Sequence, residues 1–108
     1  MDLLTFPEAA AALGLPVTRV HQYVRDGHLV ETRSAEGSRR IPADFVQEGA
    51  IVKHLRAVIT QLRDAHYADD EIVTWLFRTD ETLPGTPIQA LRENRGTEVK
   101  RRAQVAGF

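Results

Sequence analysis

Apolar and polar positions along this chain fall into segments of helical or alternating period, divided by turn-forming residues. Thr5 precedes Phe6 and Pro7, and Glu8 follows three residues later, a capping-box pattern that predicts a first helix from near Phe6 through the Ala-rich run Ala9 to Leu13. Gly14 supplies a stop, and Leu15-Pro16 makes a tight connection into a second helix, about Val17 to Asp26. Val20, Tyr23 and Val24 share its apolar side, which leaves Thr18, Arg19, Gln22 and Arg25 pointing mostly outward. Gly27 ends that helix, and His28 to Arg33 alternates as a short strand. Ser34 to Ser38 is turn-rich, Arg39-Arg40-Ile41 is predicted to return antiparallel, and Pro42-Ala43-Asp44 opens another helix.

In the second half, Ile51, Val52, Leu55, Val58, Ile59 and Leu62 recur at helical spacing and predict one long amphipathic helix from Ala50 to His66. Its stripe serves either to pair two subunits or to cover the chain's own first half, and a chain this small needs its apolar faces for a core. Asp69 or Asp70 is expected to cap a helix from Glu71 to Phe77, with Trp75 as a core anchor among aliphatic neighbours. A loop from Asp80 leads to Thr86-Pro87, which starts a short helix through about Asn94. Gly96 is read as its end, and a last helix, Thr97 to Val105, carries Lys100, Arg101 and Arg102.

Helix, tight turn, helix, then two strands joined by an arginine-bearing loop is the order of a winged helix-turn-helix. The expected fold is therefore mainly α, with a two-stranded wing and a helical C-terminal extension. Residues 1–48 form the winged module and residues 49–108 the extension, packed on it as a single unit.

Composition narrows the function. With 108 residues the chain supports one modest core, and 43% hydrophobic with 27% charged residues argues against wholesale disorder. The absence of cysteine removes disulfides, thiolate zinc sites and cysteine nucleophiles, and fits a reducing cytosol. No signal-peptide pattern opens the chain and no apolar run is long enough for a membrane helix, so a cytoplasmic protein without membrane attachment is expected. His21, His28, His54 and His66 show no metal-ligand spacing, the glycines form no phosphate-cradling loop, and the carboxylates are spread as caps and solvated partners. Neither a catalytic site, a metal nor a cofactor is expected.

The net charge of −1 is unlike the basic footprint of a DNA binder, so placement of the charges matters. Arg19, Arg25, Arg33, Arg39 and Arg40 fall in the second helix and the wing, while Asp69, Asp70, Glu71, Asp80 and Glu81 lie far along the chain. Arg pairs bidentately with guanine, Gln with adenine, and Thr bonds phosphate or touches a thymine methyl, so Thr18, Arg19, Gln22 and Arg25 suit a major groove. Arg33, Arg39 and Arg40 suit phosphates or an adjacent minor groove. An ordinary solvated helix face and a solvated basic hairpin carry the same residue types.

Gly14, Arg25-Asp26-Gly27-His28-Leu29 and Arg39-Arg40-Ile41-Pro42 match the punctuated positions of MerR-like and excisionase-like winged helices, which this segment resembles from about Leu3 to Val46. The resemblance implies DNA contacts from Thr18, Arg19, Gln22 and Arg25 and from wing residues Arg39 and Arg40, with double-stranded DNA as partner and transcriptional regulation as role. The whole chain is similar to a small actinobacterial family of stand-alone winged-helix DNA-binding proteins. Trp75-Leu76, Gly85-Thr86-Pro87, Ala90-Leu91 and Gly96-Thr97-Glu98-Val99 resemble the C-terminal element of Xre/MbcA/ParS-type antitoxins. That second resemblance implies a competing role as a protein-interaction adaptor or antitoxin-like protein, with a homodimer or protein partner engaged through the C-terminal half.

Overall fold

The computed structural model describes residues 1–107. A short strand, β1 (Leu3–Leu4), leads into α1 (Phe6–Leu13) and α2 (Val17–Arg25), followed by β2 (Thr32–Arg33) and β3 (Arg39–Pro42). A single 3-10 turn (Ala43–Phe45) precedes the hairpin β4 (Val46–Gln47) and β5 (Ala50–Ile51). Four helices follow among the described residues: α3 (Leu55–Asp64), α4 (Asp69–Phe77), α5 (Pro87–Arg92) and α6 (Gly96–Val105).

The start of α1 is the predicted capping box: the Glu8 N–H donates to Thr5 Oγ1 at 3.1 Å, and the Thr5 N–H donates to Glu8 Oε1 at 2.7 Å. Gly14, at φ 67, closes the helix in the left-handed conformation that a residue with a Cβ adopts only with strain. Two residues later α2 begins on Pro16 with no side-chain cap. This helix therefore depends on packing, through fully buried Val20, rather than on its own N-terminus.

β3 is the centre of a three-stranded sheet in the order β1-β3-β2. Thr32 pairs with Arg40 and Arg33 with Arg39, which is the two-stranded wing. Leu3 and Leu4 pair with Pro42 and Ile41, adding a strand at the far end that local periodicity does not announce. The strand expected over His28 to Arg33 is only two residues long. Leu29 and Val30 are adjacent and both fully buried, which an alternating strand facing core on one side does not permit.

The region after the wing departs further from expectation. Instead of a helix at Pro42, the chain makes one 3-10 turn and a tight hairpin whose central residues, Glu48 (φ 52) and Gly49 (φ 78), both have left-handed backbone. Ala50 and Ile51 pair with Gln47 and Val46, so the predicted helix over Ala50 to His66 begins only at Leu55. The cap of α4 is Ala68, not Asp69 or Asp70. Its free N–H donates to Glu71 Oε1 at 2.9 Å, and the two aspartates occupy the first turn. Gly96 opens α6 instead of ending α5, because Asn94, at φ 62, already turns the chain.

One continuous apolar cluster joins Phe6, Val20, Leu29, Ile41 and Phe45 to Leu55, Ile59, Leu62, Ile72, Leu76, Ile88 and Val99. The stripe of α3 is consumed within the chain, since Leu55, Val58, Ile59 and Leu62 are each 0% exposed. Trp75 is half-buried and packs against this cluster rather than within it. Arg92 Nη1 donates to the carbonyls of Asp44 at 2.9 Å and Val46 at 3.0 Å, tying α5 to the segment that leaves the wing. Among the described residues no helix is long and apolar enough to cross a membrane.

Candidate nucleic-acid interface

The outer side of α2 carries Thr18, Arg19, Gln22 and Arg25, all exposed. Thr18, Gln22 and Arg25 follow i, i+4, i+7 spacing and form one stripe, opposite buried Val20. His21 is also exposed beside them, although its isolated place in the sequence gave no functional signal. Arg19 lies along its own helix: Nη2 donates to Tyr23 Oη at 3.2 Å, and the guanidinium carbon stands 5.3 Å from the Tyr23 ring centroid. That contact limits the rotamers of Arg19 while its charge stays at the surface. Among the described residues neither Arg19 nor Arg25 forms an ion pair with a carboxylate.

The wing is built differently. Arg33 Nη1 donates to the Gly37 carbonyl at 3.1 Å, and the Ser38 N–H donates to Ser34 Oγ at 3.2 Å, so the loop is closed by its own side chains. Arg33 and Arg39 are directly opposite in the ladder and share a face, whereas Arg40 opposes Thr32 on the other face and is half-buried. The geometry thus brings Arg33 and Arg39 together and does not bring Arg40 to the same side. Arg40 Nη1 instead donates to the Arg39 carbonyl at 2.9 Å.

Arg39 makes two contacts that the sequence pattern does not reveal. Its Nε donates to the Glu31 carboxylate, and its guanidinium carbon stands 4.8 Å from the centroid of Phe6. The same Phe6 ring meets the His21 imidazole at a centroid distance of 4.6 Å. Phe6 of α1, only 6% exposed, therefore links the outer side of α2 to the wing.

Local electrostatics follow from these placements. The Thr5 backbone N–H, then its hydroxyl, hold the Glu8 carboxyl below its ordinary range, with Arg40 adding to the effect. Thr82 does the same for Asp80 through its hydroxyl and backbone N–H, with Arg102 contributing. His54 is held below the usual imidazole value by burial first, then by Lys100 and Lys53. The acidic residues distant in sequence are not all distant in space. Asp69 and Asp70 border a cleft of about 330 Å³ together with Glu31, Thr32 and Arg33. Among the described residues no three His, Asp or Glu side chains converge as metal ligands.

A short turn between two helices, the second presenting exposed arginines, with an antiparallel hairpin beside it, defines a winged helix-turn-helix protein. Residues 1–46 match the family described as DNA-binding protein Rv2175c, wHTH domain, and residues 52–107 match the Rv2175c C-terminal domain of unknown function. The chain belongs to the Rv2175c family. A relative named DNA-binding protein Rv2175c, from Mycobacterium tuberculosis, is 38% identical over 114 residues, covering 94% of this chain and 78% of the relative. The solved NMR structure of Rv2175c is similar at a TM-score of 0.89 and 37% identity, covering 99% of this chain and 82% of that one. The mainly α winged fold with a helical extension expected from the sequence is the fold of this family.

Proposed function

We propose that this chain binds double-stranded DNA by laying α2 in the major groove and resting the wing on the backbone, and that it acts in the cytoplasm as a transcriptional regulator. Arg19, Gln22 and Arg25 read bases or phosphates, Thr18 contacts phosphate at the helix start, and Arg33 and Arg39 face the backbone. Arg40, on the opposite face of the wing, contributes less. The observation that carries this reading is the exposed outer side of α2, whose Arg19 and Arg25 form no ion pair among the described residues. The name of the relative, a DNA-binding protein, supports it. The order of elements, which resembles that of MerR-like and excisionase-like proteins, supports it too.

In this reading residues 1–48 carry recognition and residues 49–108 brace them. Dimethyl sulfate footprinting on a bound duplex tests the docking, because the reagent methylates guanine N7 in the major groove. Protection of guanines there is expected, and unprotected guanines on a duplex that is nevertheless bound refute major-groove insertion.

A second reading, docking of a protein partner on the C-terminal half, has one observation in its favour. Half-buried Trp75, with Arg78, borders two open clefts, one of about 390 Å³ extending to Pro87 and one of about 260 Å³ extending to Tyr67. Tryptophan, tyrosine and arginine are the residue types that dominate binding energy at interfaces. Retention on a DNA column separates the two readings. The first predicts that Trp75→Ala elutes with the wild type and Arg19→Ala/Arg25→Ala elutes earlier, and the second predicts no retention of any form.

A further inference from the structure

The arginines of the two DNA-facing elements differ in one respect. Those of α2 form no ion pair among the described residues, whereas Arg39 is held by a carboxylate of its own wing, and its partner Glu31 lies next to the strand that carries Arg33. The pairing is through Nε alone, and neither Nη group of Arg39 has a hydrogen-bond partner among the described residues. The Arg39 side chain is 46% exposed and that of Glu31 23%. A guanidinium held at Nε, with its carbon 4.8 Å from the Phe6 centroid, keeps both Nη groups without a partner among the described residues, and that edge suits donation to a phosphate.

We propose that Glu31 is an affinity-setting residue of the DNA interface: it orients Arg39 towards a phosphate while offsetting the charge that Arg39 brings. The inference rests on the DNA-binding reading above. Orientation and charge separate chemically. A glutamine at position 31 keeps an oxygen that accepts from Nε and removes the negative charge, whereas an alanine removes both. Double-stranded DNA is bound largely by neutralising phosphates, so a carboxylate beside a phosphate-facing arginine weakens binding and reduces the number of counterions released. Glu31 thus holds overall affinity down, leaving the uncompensated arginines of α2 to dominate recognition.

The test is fluorescence anisotropy with a labelled duplex of mixed sequence, titrated at several salt concentrations, on the full chain. Glu31→Gln is expected to bind roughly fivefold more tightly at low salt, with a salt slope steeper by up to about one. In an Arg39→Ala background the same change is expected to tighten binding clearly less, because no guanidinium then draws a phosphate up to the carboxylate, and Glu31→Ala is expected to bind less tightly than Glu31→Gln. Unchanged or weaker binding by Glu31→Gln overturns the proposal, as does equal tightening without Arg39, which would mark a mere change of net charge. Equal affinity of Glu31→Gln and Glu31→Ala overturns the orienting role. Circular dichroism confirms that each variant is folded, and Glu81→Gln, an exposed carboxylate of the C-terminal half, serves as the control expected to leave affinity near wild type. Wild-type protein that ignores the duplex counts against DNA binding itself, whereas binding that is indifferent to Glu31 counts against this proposal alone.

Discussion

Gln47 and Arg92 each hold the other's neighbourhood: Gln47 Nε2 donates to the Arg92 carbonyl at 3.2 Å, and Arg92 Nη1 returns to the Val46 carbonyl at 3.0 Å. The pair joins the end of the winged module to α5, and it is part-buried, so these carbonyls have limited access to replacement water. Arg92→Ala should lower stability by about 2 kcal/mol, since two charge-assisted bonds vanish at once. Calorimetry is expected to show a Tm lower by on the order of 10 °C. A change within a degree or two would mean that the halves are held by apolar packing alone.

Gly96 and His54 set the contact between α6 and the start of α3. A Cβ on Gly96 would stand 2.5 Å from His54 Cδ2 and 3.1 Å from its Cγ, so the imidazole would have to move. Gly96→Ala should therefore destabilise by about 1–3 kcal/mol, despite the better helix propensity of alanine. Urea unfolding measures this, and a stabilised Gly96→Ala would show that the approach is looser than the structure gives.

His54 also makes stability depend on pH. Its folded value is depressed by burial and by Lys100 and Lys53, so the unfolded chain binds the proton more readily. Stability is then fully present above the unfolded value of about 6.5 and declines as pH falls through it. His54 has φ 71, a conformation that asparagine tolerates, so His54→Asn removes the titration without straining the backbone. The stability lost by the wild type between about pH 8 and pH 5.5 should shrink in His54→Asn. Identical pH profiles would contradict the assignment.

Glu8 acts in the same direction at a lower pH. Its folded value is depressed, chiefly by the Thr5 backbone N–H, so its contribution is present above the unfolded value of about 4.3 and is lost as pH falls through the lower folded value. Wild type should be more stable than Glu8→Gln near neutrality, and the gap should close on acidification to about pH 3. A gap that stays constant with pH would exclude the ionised capping box as its source. Thr5→Ala, which removes the other half of the box, is expected to lower stability by about 1 kcal/mol.

The helix-turn-helix was legible in the sequence because its signals are local. Thr5, Glu8 and Gly14 each act within one turn of helix, and the exposed stripe of α2 follows from spacing alone. β1 was not legible, because Leu3 and Leu4 find their partners in Ile41 and Pro42, at a separation that no local period encodes. The β4–β5 hairpin was missed because Glu48-Gly49 is a weaker turn signal than Asn-Gly and lies beside a strong helical stripe, although Gly49 marked the place. At the interface, the residue types were readable but their pairings were not. That Arg39 meets Glu31 and Phe6, that Phe6 also meets His21, and that Arg40 turns to the other face, all depend on strand register and helix packing.

The most direct test of DNA binding through α2 is the salt dependence of duplex affinity for wild type and for Arg19→Ala/Arg25→Ala, measured on protein of unchanged Tm. A wild-type log K that falls linearly with log salt, and a double variant that binds more weakly with a slope shallower by about two, are the expected results. Equal affinity and equal slope in a folded double variant would contradict the account.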